Sequence, residues 1–385
     1  MRGFLSILIC LAMFCQPAYA KEIDSENPVP VIEAKAAVLI ERTSGRVLFK
    51  QNENEILPIA STTKIMTALL ALENAAPDDM VTAGENAEGV EGTSIYLSAG
   101  ETLSMRDMLY GLMLRSGNDA AVAIAEHIDG DVETFAKRMN ARAKELDAST
   151  RFVTPNGLDE NGNGASALGM ARIAAGAMAL PAFREIVATQ KKDIPWPGRD
   201  YGRELENKNK LLRTLDGATG IKTGYTSKAG RCLVFSCERE GVELIGVVLN
   251  CGTWFESATE LIEWGFKQFC AETIAVKGEI AAQVEVLGGT DRSVDALFER
   301  TLTLPLAVGE SHEIEPIMLP LLSAPVSKGQ VIGHAVISIN GETVTMVDLI
   351  AGAAIDERLS FIEAMKSMLC RWLGQTMKRD AMDGS

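Results

Sequence analysis

The chain has 385 residues, is 47% hydrophobic and carries a formal net charge of −15. That length suits one large core and a smaller second one. No stripe of lysine and arginine breaks the acidic balance, which speaks against nucleic acid as a partner.

Residues 1–20, MRGFLSILICLAMFCQPAYA, have the layout of a secretory signal: Arg2, an apolar run over 4–15, and the small-x-small end Ala18-Tyr19-Ala20. The run is short for a bilayer span, and Met13 and Phe14 are too bulky before Cys15 for a lipoprotein signal. The mature chain is therefore expected to start at Lys21, outside the cytoplasm. Removing the signal takes away Cys10 and Cys15 and leaves Cys232, Cys237, Cys251, Cys270 and Cys370. These show no CxxC or Cys/His spacing, so no metal is expected. Cys232 and Cys237 have opposite parity in a strand-like run and should face opposite sides of a sheet. They read as small buried hydrophobes, with disulfide pairing left open.

AAVLIERTSGRVLFKQ (36–51) predicts a hairpin around a Ser-Gly turn. From Ser61 to Glu73, apolar residues recur at helical spacing (Ile65, Leu69, Leu72). Two further helices are expected over 104–128 and 131–146. The Gly/Asn-rich RFVTPNGLDENGNGAS (151–166) reads as a loop, and 167–179 as an Ala-rich helix. GIKTGYT (220–226), RCLVFSCERE and GVELIGVVLNC predict antiparallel strands, the last two joined by a Glu-Gly turn, and 256–269 closes this part as a helix. These elements place a large domain at 21–275. Short alternating runs with frequent turns then predict a small all-β domain over 276–350. Within 351–385, the stretch 357–379 returns to a helical period, with Phe361, Ile362, Met365, Trp372 and Leu373 on one broad face. Arg358, Lys366, Arg371, Lys378 and Arg379 make it basic on an acidic protein, the pattern of an amphipathic membrane-surface anchor.

For chemistry, a Ser-His-Asp triad has little support. His127 falls in an expected helix, and His312 and His334 fall in the small β domain. Ser61 and Lys64 are more informative, because a spacing of three puts both side chains on one helical face. A Ser-x-x-Lys match arises about once by chance in a chain this long, whereas Lys-Thr-Gly is expected on the order of 0.1 times. Here Ser61-x-x-Lys64, Ser116-Gly117-Asn118 and Lys222-Thr223-Gly224 follow in order on a helix start, a helix junction and a strand. A serine hydroxyl needs a base to become a nucleophile. Lys64 can be that base only when neutral, which requires desolvation or a nearby cation such as Lys222. Ser116 could relay a proton to a leaving amine, Asn118 could hold a substrate amide and the lysine, and Lys222 with Thr223 could bind a free carboxylate. Gly224 would let a substrate backbone approach closely. Such a pocket suits a peptide read at its carboxyl end.

With these residues placed, the sequence resembles the serine-type D-alanyl-D-alanine carboxypeptidases, the low-molecular-mass penicillin-binding proteins. PIASTTKIMTALLALE, LMLRSGNDAAVAIAEH, TPNGLD, NKNKLL, DGATGIKTGYTSKAGRCLV and APVSKGQVIG carry the resemblance, which covers roughly 30–375. It implies an α/β (α+β) penicillin-recognising, serine-transpeptidase-like domain whose antiparallel sheet is flanked by helices, then a β-rich domain and an anchor helix. It implies peptidoglycan stem peptides ending in D-Ala-D-Ala as substrate, β-lactams as inhibitors and no cofactor. Ser61 would be the nucleophile and Lys64 the base. Ser116 and Asn118 would relay and position, and Lys222 and Thr223 would bind the terminal carboxylate. The backbone N–H groups of Ser61 and Tyr225 would form the oxyanion hole.

The chain departs from the family pattern in three places. Tyr225 stands where relatives often have His. Asn163 and Gly169 stand where a His and an Asp often precede the Ala-rich helix. Trp254-Phe255 occupies the place of an arginine that often assists the carboxylate lysine. Two alternatives compete: a serine β-lactamase or esterase on the same scaffold, for which the 151–166 loop offers only Asp159 and Glu160 as water activators, and a non-catalytic wall-binding protein with a vestigial pocket.

Overall fold

The structure is a computed structural model that describes residues 28–158, 162–358 and residue 365. The expected signal segment, Asp159, Glu160, Cys370 and nearly all of the expected anchor lie outside the described residues. Among the described residues, no helix is long and apolar enough to cross a membrane.

The centre of the large domain is an antiparallel sheet of β1 (Ala34–Glu41), β2 (Val47–Gln51), β3 (Ala218–Thr226), β4 (Gly230–Arg239) and β5 (Val242–Cys251). Its order is β2-β1-β5-β4-β3, so β3 is an edge strand. The strands read as near-continuous apolar runs because both faces are covered. Ile245, Val247 and Leu249 of β5 pack into a helical layer built around α1 (Lys64–Asn74), α2 (Asn118–Asp129) and α3 (Ala167–Met178). Val242, Leu244 and Val248 point the other way, onto α4 (Trp254–Gln268). The sheet is thus the middle of three layers. Small residues at Ala167, Ala171 and Ala174 bring α3 close to it. Cys232 lies in the first core and Cys237 in the second, on opposite faces as their parity predicts. Cys232, Cys237 and Cys251 are buried free thiols, and Cys270 is an exposed one.

Two helices differ from the sequence expectation. The 61–73 segment begins as a 3-10 turn (Ala60–Thr63), and the α-helix starts only at Lys64. Positive φ at Ala60 and the packing of Gly157 against the Ala60 carbonyl hold this turn. The 104–128 stretch is broken as well: it runs as Met105–Tyr110, a π-helical turn Gly111–Arg115, then Ser116 at φ 66° before α2. Apolar periodicity continues through that break, so the pattern alone did not register it.

From Phe269 to Glu357 the chain is all β. Phe269–Ala275 pairs with Leu302–Ala307, and a five-stranded sheet includes Val331–Ile339 and Glu342–Ala351. These strands enclose a separate core around Ile332, Ile337, Val347 and Leu349. Arg46, at the β1–β2 turn, joins the two parts. It pairs with Glu310, donates to the Pro305 carbonyl and lies 5.4 Å from the Phe269 ring centroid.

Candidate active site

Ser61 sits where the 3-10 turn meets edge strand β3. A Cβ on Gly224 would stand 3.0 Å from the Ser61 amide nitrogen and 3.1 Å from that of Thr62, so only glycine lets the strand approach this closely. One turn on, Lys64 is fully buried. Its Nζ lies 3.0 Å from Ser61 Oγ, 2.7 Å from Asn118 Oδ1 and 2.7 Å from the Asn156 carbonyl oxygen. The Asn118 amide is oriented by its own nitrogen, which donates to the Glu91 carbonyl at 2.6 Å. Its oxygen must therefore face the lysine. Asn156 is fixed in turn: Thr67 Oγ1 of α1 donates to Pro155 O at 2.6 Å, and Gly157, at φ 86°, packs where a Cβ would come within 2.1 Å of the Ala60 oxygen.

Electrostatics set the proton count. Burial pushes the Lys64 ammonium well below the ordinary lysine range, the charges of Lys222 and Lys208 push it the same way, and Asp119 pushes back. Lys222, itself buried, is lowered to about 7 by burial and by Lys208. A neutral amine has two N–H donors and one lone pair. Asn118 Oδ1 and Asn156 O can only accept, so they take both hydrogens, and the lone pair is left for the Ser61 hydroxyl proton.

Ser116 Oγ is buried and, among the described residues, has no hydrogen-bond partner. Its left-handed backbone (φ 66°, ψ 35°) ends the π-helical turn and is held by Thr93 Oγ1, which donates to Ser116 O at 2.6 Å. A strained, unpartnered hydroxyl lining the same cavity as Ser61 can carry a proton in either direction. Asp119 accepts from the Ile95 and Leu97 amides and the Ser94 hydroxyl, tying the 94–97 loop to the start of α2.

Ser61, Ser116, Asn118, Thr223, Gly224 and Tyr225 line one cavity of about 730 Å³. Lys222 is not in its wall. It is 1% exposed, and its Nζ donates to the Thr223 carbonyl at 2.9 Å. Lys208, Asn156 and Asp119 belong to the site but were not singled out in the sequence. NKNKLL and TPNGLD contain the first two, and only the fold brings them to Lys64. Among the departures, Asn163 holds its loop: Oδ1 accepts from Val153 N at 2.7 Å, and Nδ2 donates to Thr154 Oγ1 at 2.6 Å. Gly169 is required by packing, since a Cβ would lie 2.9 Å from Ser149 O. Among the described residues, no group of His, Cys, Asp and Glu gathers to hold a metal.

A helix-sheet-helix domain with a serine-amine pair beside its edge strand defines a penicillin-recognising serine hydrolase. The chain belongs to the D-alanyl-D-alanine carboxypeptidase family, whose model matches residues 22–253, while the model for the C-terminal domain of penicillin-binding protein 5 matches 269–357. The D-alanyl-D-alanine carboxypeptidase DacF of Bacillus subtilis (strain 168) is 33% identical over 394 residues, covering 97% of this chain and 99% of that protein. DacC of Escherichia coli (strain K12), named for the same activity, is 31% identical, with 93% and 92% covered. The solved penicillin-binding protein 5 of Haemophilus influenzae superposes with a TM-score of 0.70 at 30% identity, covering 86% of this chain and 99% of that one.

Proposed function

We propose that this carboxypeptidase removes the terminal D-alanine of peptidoglycan pentapeptides through an acyl-enzyme on Ser61. Neutral Lys64 takes the Ser61 proton as Oγ attacks the carbonyl carbon of the penultimate D-alanine. The oxyanion is held by the backbone N–H groups of Ser61 and Tyr225. As the C–N bond breaks, the proton passes through Ser116 to the leaving amine, and D-alanine departs. Water, deprotonated by Lys64, then cleaves the ester and returns the proton to Ser61. Asn118 positions the lysine and the substrate amide. Thr223 meets the terminal carboxylate with the charge of Lys222 behind it, and Gly224 lets the peptide lie against the strand. A β-lactam would acylate Ser61 by the same route and leave slowly.

The observation that carries this reading is the bonding of Lys64: two acceptor-only partners at 2.7 Å leave its lone pair for Ser61. The test is D-alanine release from a pentapeptide ending in D-Ala-D-Ala, with Ser61→Ala as control. The wild type should release D-alanine, and the variant should be slower by about four orders of magnitude or more. No release by the wild type would overturn the reading, and rapid continuous turnover of penicillin would favour a β-lactamase.

Export and attachment to the outer face of the cytoplasmic membrane belong to the same proposal. They are supported by the signal-like residues 1–20 and the basic amphipathic pattern of 357–379. Deleting 357–385 should move the protein from the membrane to the soluble fraction, and unchanged partition would sink the anchor.

A further inference from the structure

Lys64 and Lys222 are buried behind the Ser61 side of the cavity, whereas Arg231 and Lys210 line it directly. On β4, Arg231 pairs with Tyr225 of β3, and Leu233 pairs with Thr223. Paired residues share a face and alternate along a strand. Arg231 and Thr223 are therefore diagonal neighbours on the face turned to α4, where Leu233 is already buried. Lys222 and Gly224 point to the opposite face, towards Ser61. Arg231 lines the cavity with Thr223 and Trp254, whereas Lys222 does not.

The guanidinium is also held in place. It donates to the Gly252 carbonyl at 2.8 Å and lies 5.9 Å from the Trp254 ring centroid, within range of a cation–π contact. Lys210 lies 5.9 Å from the Phe255 ring centroid and also lines the cavity. Among the described residues, neither cation forms an ion pair, although Glu256 lines the same cavity. In a protein of net charge −15, an arginine held by a carbonyl and a ring is left free to take an anion.

We propose that Arg231 is the direct, permanently charged contact for the substrate's terminal carboxylate, and that Trp254 positions it. This rests on the carboxypeptidase reading and names a residue which that reading leaves out. A guanidinium stays charged at any pH the enzyme meets and can grip a carboxylate with two parallel N–H bonds. Lys222 cannot offer the same service: it is buried, bonded to Thr223 O and lowered to about 7, so near neutrality its charge comes and goes. Thr223 Oγ1 and the Arg231 fork, on one face, would hold the carboxylate between them.

The experiment measures binding with chemistry switched off. In a Ser61→Ala background, calorimetry compares an acyl-D-Ala-D-Ala peptide as free acid, as the C-terminal amide, and with only its side-chain carboxylates amidated. Adding Arg231→Ala should weaken the free acid and the side-chain-amidated peptide roughly 10- to 100-fold and change the C-terminal amide less than about 3-fold. Arg231→Lys should restore part of the loss. An equal loss on acid and C-terminal amide would make Arg231 structural and overturn the proposal, as would no loss on the acid. A loss that vanishes only when side-chain carboxylates are amidated would assign Arg231 to a second carboxylate and overturn it too. D-alanine release by the enzyme with Ser61 intact is scored separately, so failure of the carboxypeptidase reading is seen in a different measurement.

Discussion

On the Ser61 wall of the cleft, Lys64 is shut away from water with every N–H and its lone pair assigned. On the β4–α4 wall, Arg231 and Lys210 face the same cavity with aromatic rings beside them and, among the described residues, no ion pair to a carboxylate. On the mechanism and the anchor proposed above, the two walls do opposite work with the same kind of group. A base must be uncharged when substrate arrives, and desolvation is the strongest means of discharging an amine. A carboxylate anchor must stay charged, which requires a group water can reach and a pKa far above the working range. One environment cannot serve both tasks, so the cleft keeps its cations in two.

The most direct way to break this contrast is to place a negative charge on the dry wall. Asn118→Asp sets a buried carboxylate 2.7 Å from Lys64 Nζ, at nearly the same shape. The opposite charge would hold the lysine as ammonium and take away the lone pair Ser61 needs. Penicillin acylation at pH 7, followed by fluorescent labelling, should fall about a thousandfold. The rising limb of its pH profile should also move up by a unit or more. A variant with normal acylation at pH 7 would show that Lys64 does not act through its neutral form.

How much of this was legible in the sequence depends on whether a signal is local. Ser61 and Lys64 lie one turn apart, and the β3–β5 strands announce themselves by apolar runs and turns, so both were readable. Cys232 and Cys237 were placed on opposite faces by parity alone. The break at Ser116 was not readable, because apolar spacing runs through it and only the tertiary packing of Thr93 fixes the left-handed residue. Lys208 and Asn156 carry no local mark, as each acts on Lys64 from a distant stretch of chain. Trp254 is the instructive case. It read as the loss of an arginine, yet its ring lies beside Arg231 from the neighbouring strand. A position-by-position reading cannot find a charge supplied from another strand.

A smaller effect ranks the two causes that discharge Lys64. Lys222→Met keeps the buried volume and removes the cation with the larger effect on Lys64, while burial, the largest cause, stays in place. The rising limb of the acylation profile should move up by about one pH unit, less than in Asn118→Asp, with roughly a tenfold loss at pH 7. Stability gives an independent check of sign. Lys222 is lowered from 10.5 to about 7, so between those values the unfolded chain binds a proton that the folded chain does not. The penalty on the fold is complete below about pH 7 and is relieved as pH rises towards 10.5, so stability should increase across that window. Urea unfolding at both ends should show a shallower rise in Lys222→Met, with Lys64 supplying what remains. If the acylation limb does not move at all, burial alone keeps Lys64 neutral. If it moves as far as in Asn118→Asp, the neighbouring charge outranks burial, and the dry wall is an electrostatic device before it is a dry one.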